Sequence, residues 1–508
     1  MKTKGWFVLL AIVGLALCGG PIVEAAVKDT LTIALGSDVD NLDPHMFAHR
    51  ESVIVTQHIY DALVYRDPDT MQLTPHLATS WRVINPLTWE FNLRKDVKFH
   101  NGEPFTAQTV KFNYDRMLNP EQKAPQRGLH LLIKRVEVVD ESTVRIHTEK
   151  PYPLMIERLA TLRMGPEKYI KEKGDAYVAE HPVGTGVYKF VRWDRGRQIV
   201  LVASDTHFRF KPAFKNAVWR IIPETATAIA DLLSGAVDII RAVPPDQMEV
   251  IDRSGVAKTV VVQNLRVAEV FLDAKGRSGQ NPFTDKRVRQ AINYGVNVDG
   301  ILKNIVGDRG DRTAAALSPL HFGYDSSIKP YPYDPERAKR LLAEAGHPNG
   351  FEVRYISQYF QTPGQKQVAQ AIASDLAKIG VRARIQHYED MGPVVTMIRE
   401  NKAGPMFQMS WGSFSVFDAD ALLYDMFHCG SIWTYYCNPE LDKLLEQGRG
   451  TLDPEVRKKL YSQAQQIIKE DAPWLFLWGL HGIWGVSNKI AWMPSRDEVD
   501  RLFIATPK

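Results

Sequence analysis

Few residues of this chain form a pattern that could do chemistry. Asp418 and Asp420 are two carboxylates close in sequence, and such a pair can divide acid and base work. The chain has neither the Gly-x-Ser-x-Gly elbow of serine hydrolases nor the His-Glu-x-x-His helix of zinc proteases. No motif implies a cofactor. The sequence therefore predicts a protein that is not an enzyme, with a hydrolase as the lesser alternative.

The N-terminus has the features of an export signal. Two lysines precede an apolar run over residues 6–17, and a small-x-small pattern follows it, so we expect cleavage after Ala25. The run is shorter than the roughly 20 residues that a spanning helix needs. Cys18 makes lipid attachment an alternative, but Leu17 is larger than the residue that a lipobox requires. We expect the mature chain in the periplasm.

Cysteine and histidine give a second candidate site. Removal of the signal leaves only Cys429 and Cys437, and two cysteines this close in an exported chain most simply form a disulfide. Two free thiols are the alternative. A metal site is disfavoured, because His428 is the only nearby third ligand and no Cys-x-x-Cys spacing occurs.

Length and composition indicate a large globular protein. The chain has 508 residues, of which 44% are hydrophobic and 24% charged, and its formal net charge is +4. This length predicts two or three domains. The net charge is too small to indicate a nucleic-acid partner.

Strand and helix signals alternate along the chain, which favours an α/β fold. In the window 75–112, PHLATSWRVINPLTWEFNLRKDVKFHNGEPFTAQTVKF, Trp89, Phe91 and Leu93 alternate with polar residues as in a half-buried strand. Thr106 can cap the helix that follows. This window is therefore interpreted as scaffold.

Three further segments have clear local predictions. Gly184-Thr185-Gly186 precedes strand signals at 187–193 and 199–203, whereas a phosphate-binding glycine loop must open a helix, so no phosphate site is expected there. The block 283–299, FTDKRVRQAINYGVNVD, predicts a helix capped by Thr284, with Arg287 and Arg289 facing outward. Thr225 to Ser234 predicts another helix, which Gly235 ends.

These blocks resemble, in the same order, those of the family 5 extracellular solute-binding proteins, the peptide- and nickel-binding receptors of ABC importers. The resemblance is carried by "P-x-L-A-x-S-W" with "W-x-F-x-L-R-x-x-V-x-F-H-x-G", by "G-T-G-x-Y-K-F", by "L-x-S-G-x-V-D" and by "F-x-D-x-R-V-R-Q-A-I". It covers about residues 30–503.

The resemblance implies a fold. It is an α/β, two-lobed periplasmic-binding-protein clamshell, type II-like, with an extra subdomain in lobe one. The expected boundaries are 1–25 for the signal peptide, 26–266 for lobe one with its subdomain at about 60–180, 267–478 for lobe two, and 479–508 for the return to lobe one. The hinge is expected near 265–271 and 475–482.

The resemblance also implies a function. The chain would capture di- or oligopeptides in the periplasm, as a monomer, and deliver them to the transmembrane permease subunits of an ABC transporter. A separate ATPase would supply the energy, which agrees with the absence of a Gly-x-x-x-x-Gly-Lys-Ser/Thr motif. The alternative ligands are an opine, an oligosaccharide or chelated nickel. The competing classes are an exported hydrolase and an interaction protein built on the same clamshell.

The resembling receptors place a tryptophan against the ligand, and the matching residue is Trp411 in MSWGSFSVFDADALL, with Ser413 beside it. Three residues later those receptors typically carry an aspartate that pairs with the peptide's α-ammonium. This chain has Phe414 there, so Asp418 or Asp420 is expected to take that role.

Two further site residues follow from the resemblance. Dipeptide receptors present an arginine to the ligand carboxylate at a position that matches Tyr359, so the carboxylate anchor is not identified. In the nickel branch a histidine after the tryptophan helps hold the metal complex, and His428 keeps that option open. The other aromatic residues of this stretch are expected to be mainly core.

Overall fold

The structure, a computed structural model, describes residues 29–47, 49–358, 364–389, 391–412 and 416–508. The predicted signal peptide lies outside these ranges. Within them, no helix has the length and apolar character that crossing a bilayer requires.

One large mixed sheet runs through the molecule. Its strands lie in the order β15-β14-β16-β12-β17-β11-β1-β10-β9-β8, and β13 pairs with β17 outside this path. The strands are β1 (Thr30–Leu35), β8 (Tyr188–Asp194), β9 (Gln198–Ala203), β10 (Asn216–Ile221), β11 (Ile239–Ile240), β12 (Ala257–Leu272), β13 (Gly310–Arg312), β14 (Phe351–Gln358), β15 (Val381–Tyr388), β16 (Met406–Trp411) and β17 (Trp474–Ser487).

The remaining strands form smaller sheets. A four-stranded antiparallel sheet has the order β4-β5-β7-β6, and β2 pairs with β3 and β18 with β19. These strands are β2 (Val64–Arg66), β3 (Leu73–Pro75), β4 (Ala78–Asn85), β5 (Thr88–Leu93), β6 (Ile133–Asp140), β7 (Thr143–Thr148), β18 (Ile490–Ala491) and β19 (Thr506–Pro507). The strand predicted from Trp89, Phe91 and Leu93 is β5.

Two long strands are shared by both ends of the large sheet. The first part of β12, 257–263, pairs with 487–481 of β17, and its last part, 267–271, pairs with 479–474. The register shifts between Gln263 and Val267. A shift of this kind interrupts the ladder and bends the strand. The hinge predicted at 265–271 and 475–482 falls on these two strands.

The helices cover the large sheet and the four-stranded sheet. They are α1 (Arg50–Ile59), α2 (Ala107–Leu118), α3 (Met155–Leu159), α4 (Glu167–Lys173), α5 (Asp175–Val178), α6 (Thr225–Ser234), α7 (Met248–Arg253), α8 (Lys286–Gly295), α9 (Val298–Asn304), α10 (Pro335–Glu344), α11 (Gln365–Lys378), α12 (Met391–Arg399), α13 (Asp420–Phe427), α14 (Pro439–Gly450) and α15 (Pro454–Asp471).

Helix ends follow the sequence signals, with one correction. Thr106 caps α2 through a capping box, and Gly235 ends α6 with a φ of 81°. The prediction that Thr284 caps α8 is wrong, since the Asp285 carboxylate accepts the cap hydrogen bond from the Arg287 N–H. Arg289 is also not outward. It is 5% exposed and donates to the Asp471 carbonyl at 2.8 Å.

The buried apolar residues form several cores. The largest core joins β12, β14, β16 and β17 to α8 and α11, and a second lies under β1, β9 and β10. A third fills the space between the four-stranded sheet and α2. Val416 and Ala421, from the segment after β16, belong to this third core. The segment after β16 therefore packs against the predicted subdomain of lobe one.

The Gly184-Thr185-Gly186 segment is explained by close packing. A Cβ atom built on Gly184 would lie 1.9 Å from the Ile59 carbonyl oxygen, and one on Gly186 would lie 2.5 Å from that of His58. Both glycines therefore let the chain approach the end of α1. His100 from the first window joins this contact, because its Nε2 lies 2.9 Å from the Gly186 carbonyl oxygen.

Candidate functional site

The end of β16 places Trp411 at the edge of the shared strands. Trp411 is paired in register with Val267 of β12, and its side chain is 9% exposed. The Trp433 ring lies 5.6 Å from it, and the Arg399 guanidinium lies 5.4 Å from the Trp433 ring. Aromatic rings backed by a cation offer apolar area with polar edges. We call Trp411, Trp433, Phe417, Asp418 and Asp420 the β16 wall.

A buried cluster of charged residues lies next to Gly412, the residue that follows Trp411. The Glu498 carboxylate lies 3.1 Å from Arg266 and 3.4 Å from Arg50. Burial raises the pKa of Glu498, but these two guanidinium groups outweigh it and lower the pKa to about 2. A Cβ atom on Gly412 would lie 3.1 Å from a Glu498 oxygen, so the chain leaving Trp411 passes directly over the ion pair.

Three residues predicted for the site, Ser413, Phe414 and Tyr359, lie outside the described residues. Their roles stay predictions. The described chain resumes at Val416, and Phe417 then lies against Arg66, whose guanidinium carbon is 4.6 Å from the ring centroid.

Asp418 and Asp420 each have an arginine partner. The Asp418 carboxylate accepts two hydrogen bonds from Arg457, at 2.7 and 2.8 Å, and is 7% exposed. The Asp420 carboxylate accepts from Arg449 at 2.8 and 2.9 Å and is 1% exposed. Two-point bonds of this kind are strong and specific. The geometry thus gives both carboxylates a structural partner and leaves neither charge uncompensated for an ammonium group.

His428 and the cysteines lie at the far end of α13. Cys429 and Cys437 form a disulfide. The His428 ring stacks on Tyr424 at 4.3 Å, and its Nδ1 accepts the Gly430 N–H at 3.1 Å. A neutral histidine whose Nδ1 accepts must carry its proton on Nε2, which lies 3.1 Å from Glu446. His428 therefore has no lone pair directed at a metal in this arrangement.

A cavity that the sequence did not predict lies beside the β16 wall. Its volume is about 80 Å³, which is below the roughly 300–1,000 Å³ typical of pockets that enclose a whole small molecule. Four arginines line it, and we call it the arginine cavity. They are Arg50, Arg66, Arg163 and Arg501.

Three of these four arginines have carboxylate partners. Arg50 pairs with Glu498, Arg66 with Glu157, and Arg501 makes a two-point bond with Asp497 at 2.7 and 3.0 Å. Arg163 makes no salt bridge with any residue that the structure describes, and its Nε has no hydrogen-bond partner there. These arginines are distant in sequence, so local patterns could not group them. The only signal was a cation, Arg163, between apolar Leu162 and Met164.

Asp61, His76 and His207 meet at the edge of this cavity, with ligand atoms within 4.8 Å of one another. Their hydrogen bonds argue against a metal. The His207 Nδ1 accepts the Phe210 N–H at 2.9 Å, so its proton is on the Nε2 that faces Asp61. Asp61 also accepts from the Thr185 hydroxyl at 2.7 Å and lies 2.8 Å from the His76 Nε2. We therefore interpret the cluster as a structural hydrogen-bond network.

A sheet whose two halves share two long strands, with aromatic residues beside them, is the architecture of a two-lobed binding protein. The family model described as "Bacterial extracellular solute-binding proteins, family 5 Middle" matches residues 72–434. The chain belongs to this family, whose members are receptors of ABC importers and act in the periplasm or outside the cell.

Relatives and solved structures agree with this assignment. The glutathione-binding protein GsiB of Pectobacterium atrosepticum is 31% identical over 93% of this chain and 92% of its own length. The periplasmic binding protein DppA of Helicobacter pylori, solved with the peptide STSA, has a TM-score of 0.83 at 27% identity and covers 94% of this chain and 98% of its own. AgaA of A. tumefaciens R10, solved with agropinic acid, has a TM-score of 0.79 at 27% identity, with coverage of 94% and 99%. The fold is thus the predicted two-lobed clamshell.

Proposed function

We propose that this chain is a periplasmic receptor that captures a small peptide between its lobes, against Trp411, and presents it to the permease of an ABC importer. The observation that carries this proposal is the position of Trp411, at the end of a strand paired with the shared strand β12. A ligand held there touches the element that joins the lobes. The similarity to a glutathione-binding and a peptide-bound receptor supports a ligand of the peptide class.

Closure follows from ordinary linkage. A ligand that contacts both lobes stabilises the closed arrangement, because only that arrangement offers both sets of contacts. The permease then distinguishes loaded from empty receptors by their shape. We infer that the receptor acts as a monomer. We also infer that a separate subunit hydrolyses ATP, since this chain has no Gly-x-x-x-x-Gly-Lys-Ser/Thr motif.

The finer localisation is also an inference. The lysines, the apolar run over 6–17 and the small residues before Ala26 support export and cleavage after Ala25. The intact mass of the exported protein reports the cleavage point directly. A chain that begins at an acylated Cys18 would instead be a membrane-anchored receptor.

The experiment is native mass spectrometry of the protein purified gently from a periplasm, with fragmentation of the released solutes. We expect peptide masses. Trp411→Ala should lower their occupancy at least tenfold, equivalent to about 1.4 kcal/mol of binding. Because Trp411 is buried, this variant should also unfold at a lower temperature, so occupancy is compared below the thermal transition of the variant.

The matched control is Trp81→Ala, which removes a partly buried tryptophan of β4, an edge strand of the four-stranded sheet. It should leave the solute occupancy unchanged. If Trp411→Ala retains the wild-type solutes at wild-type occupancy, Trp411 does not line the site.

A further inference from the structure

Arg163 lies where two segments of the predicted subdomain meet. It follows α3 and forms an antiparallel bridge with Ala62, and its carbonyl oxygen lies 3.0 Å from the His45 Nε2. The Arg163 Nη1 donates to the Ala160 carbonyl oxygen at 3.1 Å, and the structure describes no other hydrogen bond of this guanidinium. These contacts hold the backbone of Arg163, and its side chain lines the arginine cavity.

A guanidinium in this position needs an anion. Burial and the nearby charge of Arg501 lower the pKa of Arg163 to about 10, so the group still keeps its charge at neutral pH. Transfer of an ionised group out of water costs several kcal/mol unless a partner compensates it. The carboxylates of Asp61 and Asp497 lie close enough to oppose this lowering in part, but neither makes a salt bridge with Arg163 among the described residues, and Asp497 binds Arg501.

The same cavity contains further polar atoms without a described partner. The Tyr65 hydroxyl is buried and makes no hydrogen bond among the described residues, and the same holds for the Nδ1 of His76. Both residues line the cavity with Arg163. Buried polar groups in native structures are nearly always paired, so unpaired groups at one cavity indicate a missing polar occupant. The Arg163 guanidinium and the Tyr65 hydroxyl can donate to an oxyanion, whereas the His76 Nδ1 is an acceptor, because the proton of this ring is on the Nε2 that faces Asp61.

Two arginines that line the cavity also make contacts toward the β16 wall. Arg50 lines the cavity and pairs with Glu498, over which Gly412 passes. Arg66 lines it too, and its guanidinium lies against Phe417. These contacts link the lining of the cavity to the chain that follows Trp411.

We propose that Arg163 binds a carboxylate or another oxyanion of the captured solute, so that the substrates of this receptor are anionic or zwitterionic. The inference rests on the proposed receptor function and names its substrate class. Guanidinium groups match oxyanions through paired, charge-assisted hydrogen bonds.

The first test uses inorganic sulfate on the full mature chain, freed of solute by unfolding and refolding. Thermal unfolding is followed in sodium sulfate and in sodium chloride of equal ionic strength, which separates specific binding from screening. We expect sulfate to raise the transition of the wild type by several degrees more than that of Arg163→Gln. Arg163→Lys, which keeps the charge, should fall between them.

The control for this test is Arg195→Gln, which removes the same charge from an exposed arginine paired with Glu180. It should respond to sulfate as the wild type does. Equal responses of the wild type, Arg163→Gln and Arg195→Gln would overturn the assignment, because the effect of sulfate would then be general.

The second test compares the solutes that native mass spectrometry releases from the wild type and from Arg163→Gln. A charge-assisted contact contributes about 1.5–3 kcal/mol, so occupancy should fall at least tenfold, and the wild-type solutes should carry an acid group. If Trp411→Ala loses the solute and Arg163→Gln keeps it, the receptor proposal stands and the anion site falls. If the stabilisation by sulfate requires Arg163 but Trp411→Ala still binds the solute, the anion site is supported and the proposed position of the solute at Trp411 is wrong.

Discussion

The β16 wall and the arginine cavity are neighbouring regions that differ in whether their charged side chains have a partner of opposite charge. In the wall, Asp418 and Asp420 each bind an arginine through two hydrogen bonds. In the cavity, Arg163 has no carboxylate partner among the described residues. A charge paired within the chain serves the fold. A buried charge left unpaired by the fold indicates where a ligand supplies the partner.

The two regions should therefore respond differently to loss of a charge, and Asp418 gives the largest expected effect. Asp418→Ala leaves Arg457 buried without its carboxylate, and breaking a buried pair in this way costs about 3–5 kcal/mol. The free energy of unfolding is measured by urea titration of the solute-free protein, followed by tryptophan fluorescence.

Arg163→Gln is the matched control, since it removes one half-buried charge that makes no salt bridge among the described residues. Its free energy of unfolding should not fall, because the removal of an uncompensated charge relieves a desolvation cost. The comparison between the wall and the cavity fails if Asp418→Ala loses no more stability than Arg163→Gln.

Loss of the disulfide at the end of α13 is expected to have the next largest effect on the free energy of unfolding. Cys429 and Cys437 are 8 residues apart, and opening a loop of this size costs about 2–3 kcal/mol in the chain-entropy estimate. Replacement of both cysteines by serine should lower the free energy of unfolding by that amount and leave the sulfate response of Arg163 unchanged. Addition of reductant to the wild type is the control and should give the same loss. A changed sulfate response would show that the two regions are coupled.

The sequence predicted the positions of helices and strands better than the partners of the charged side chains. Local periodicity and capping located β5 and α6, because those signals lie within a few residues. The Asp418 and Asp420 carboxylates find their arginines 39 and 29 residues away, so the sequence left them free for a ligand when the fold had already paired them. Arg289 was expected outside because its helix pattern does not show that the end of α15 covers it.

The arginine cavity shows the same limit more strongly. Its cations come from α1, β2, the segment after α3 and the C-terminal segment. No local pattern reports that such residues converge. The glycines at 184 and 186 precede strand β8, as predicted, but the reason for them, a close approach to the end of α1, is also a contact between distant segments.

Glu269 is a second buried ionisable group, and its carboxyl oxygens have no hydrogen-bond partner among the described residues. It lies on β12 opposite Met409, is 1% exposed, and neither oxygen makes a hydrogen bond. Burial raises the pKa of Glu269 well above its ordinary value, and Arg266 only partly opposes this. A carboxyl group can thus remain in the core by holding a proton. The Arg163 guanidinium has no such route, which is why it needs an anion and Glu269 does not.

This difference predicts a pH dependence. Since the folded pKa of Glu269 is above the unfolded value, the folded state holds a proton that the unfolded state loses, and stability falls as the pH rises above about 4.5. Glu269→Gln keeps the shape but cannot ionise, so its free energy of unfolding relative to the wild type should rise by about 1 kcal/mol between pH 5 and pH 6. Urea titrations at the two pH values measure it. Glu121→Gln is the control and should show no such rise, because Glu121 is exposed and makes no salt bridge among the described residues. If Glu269→Gln and the wild type keep the same difference at both pH values, Glu269 is ionised in the folded protein, and its partner must then be sought as for Arg163.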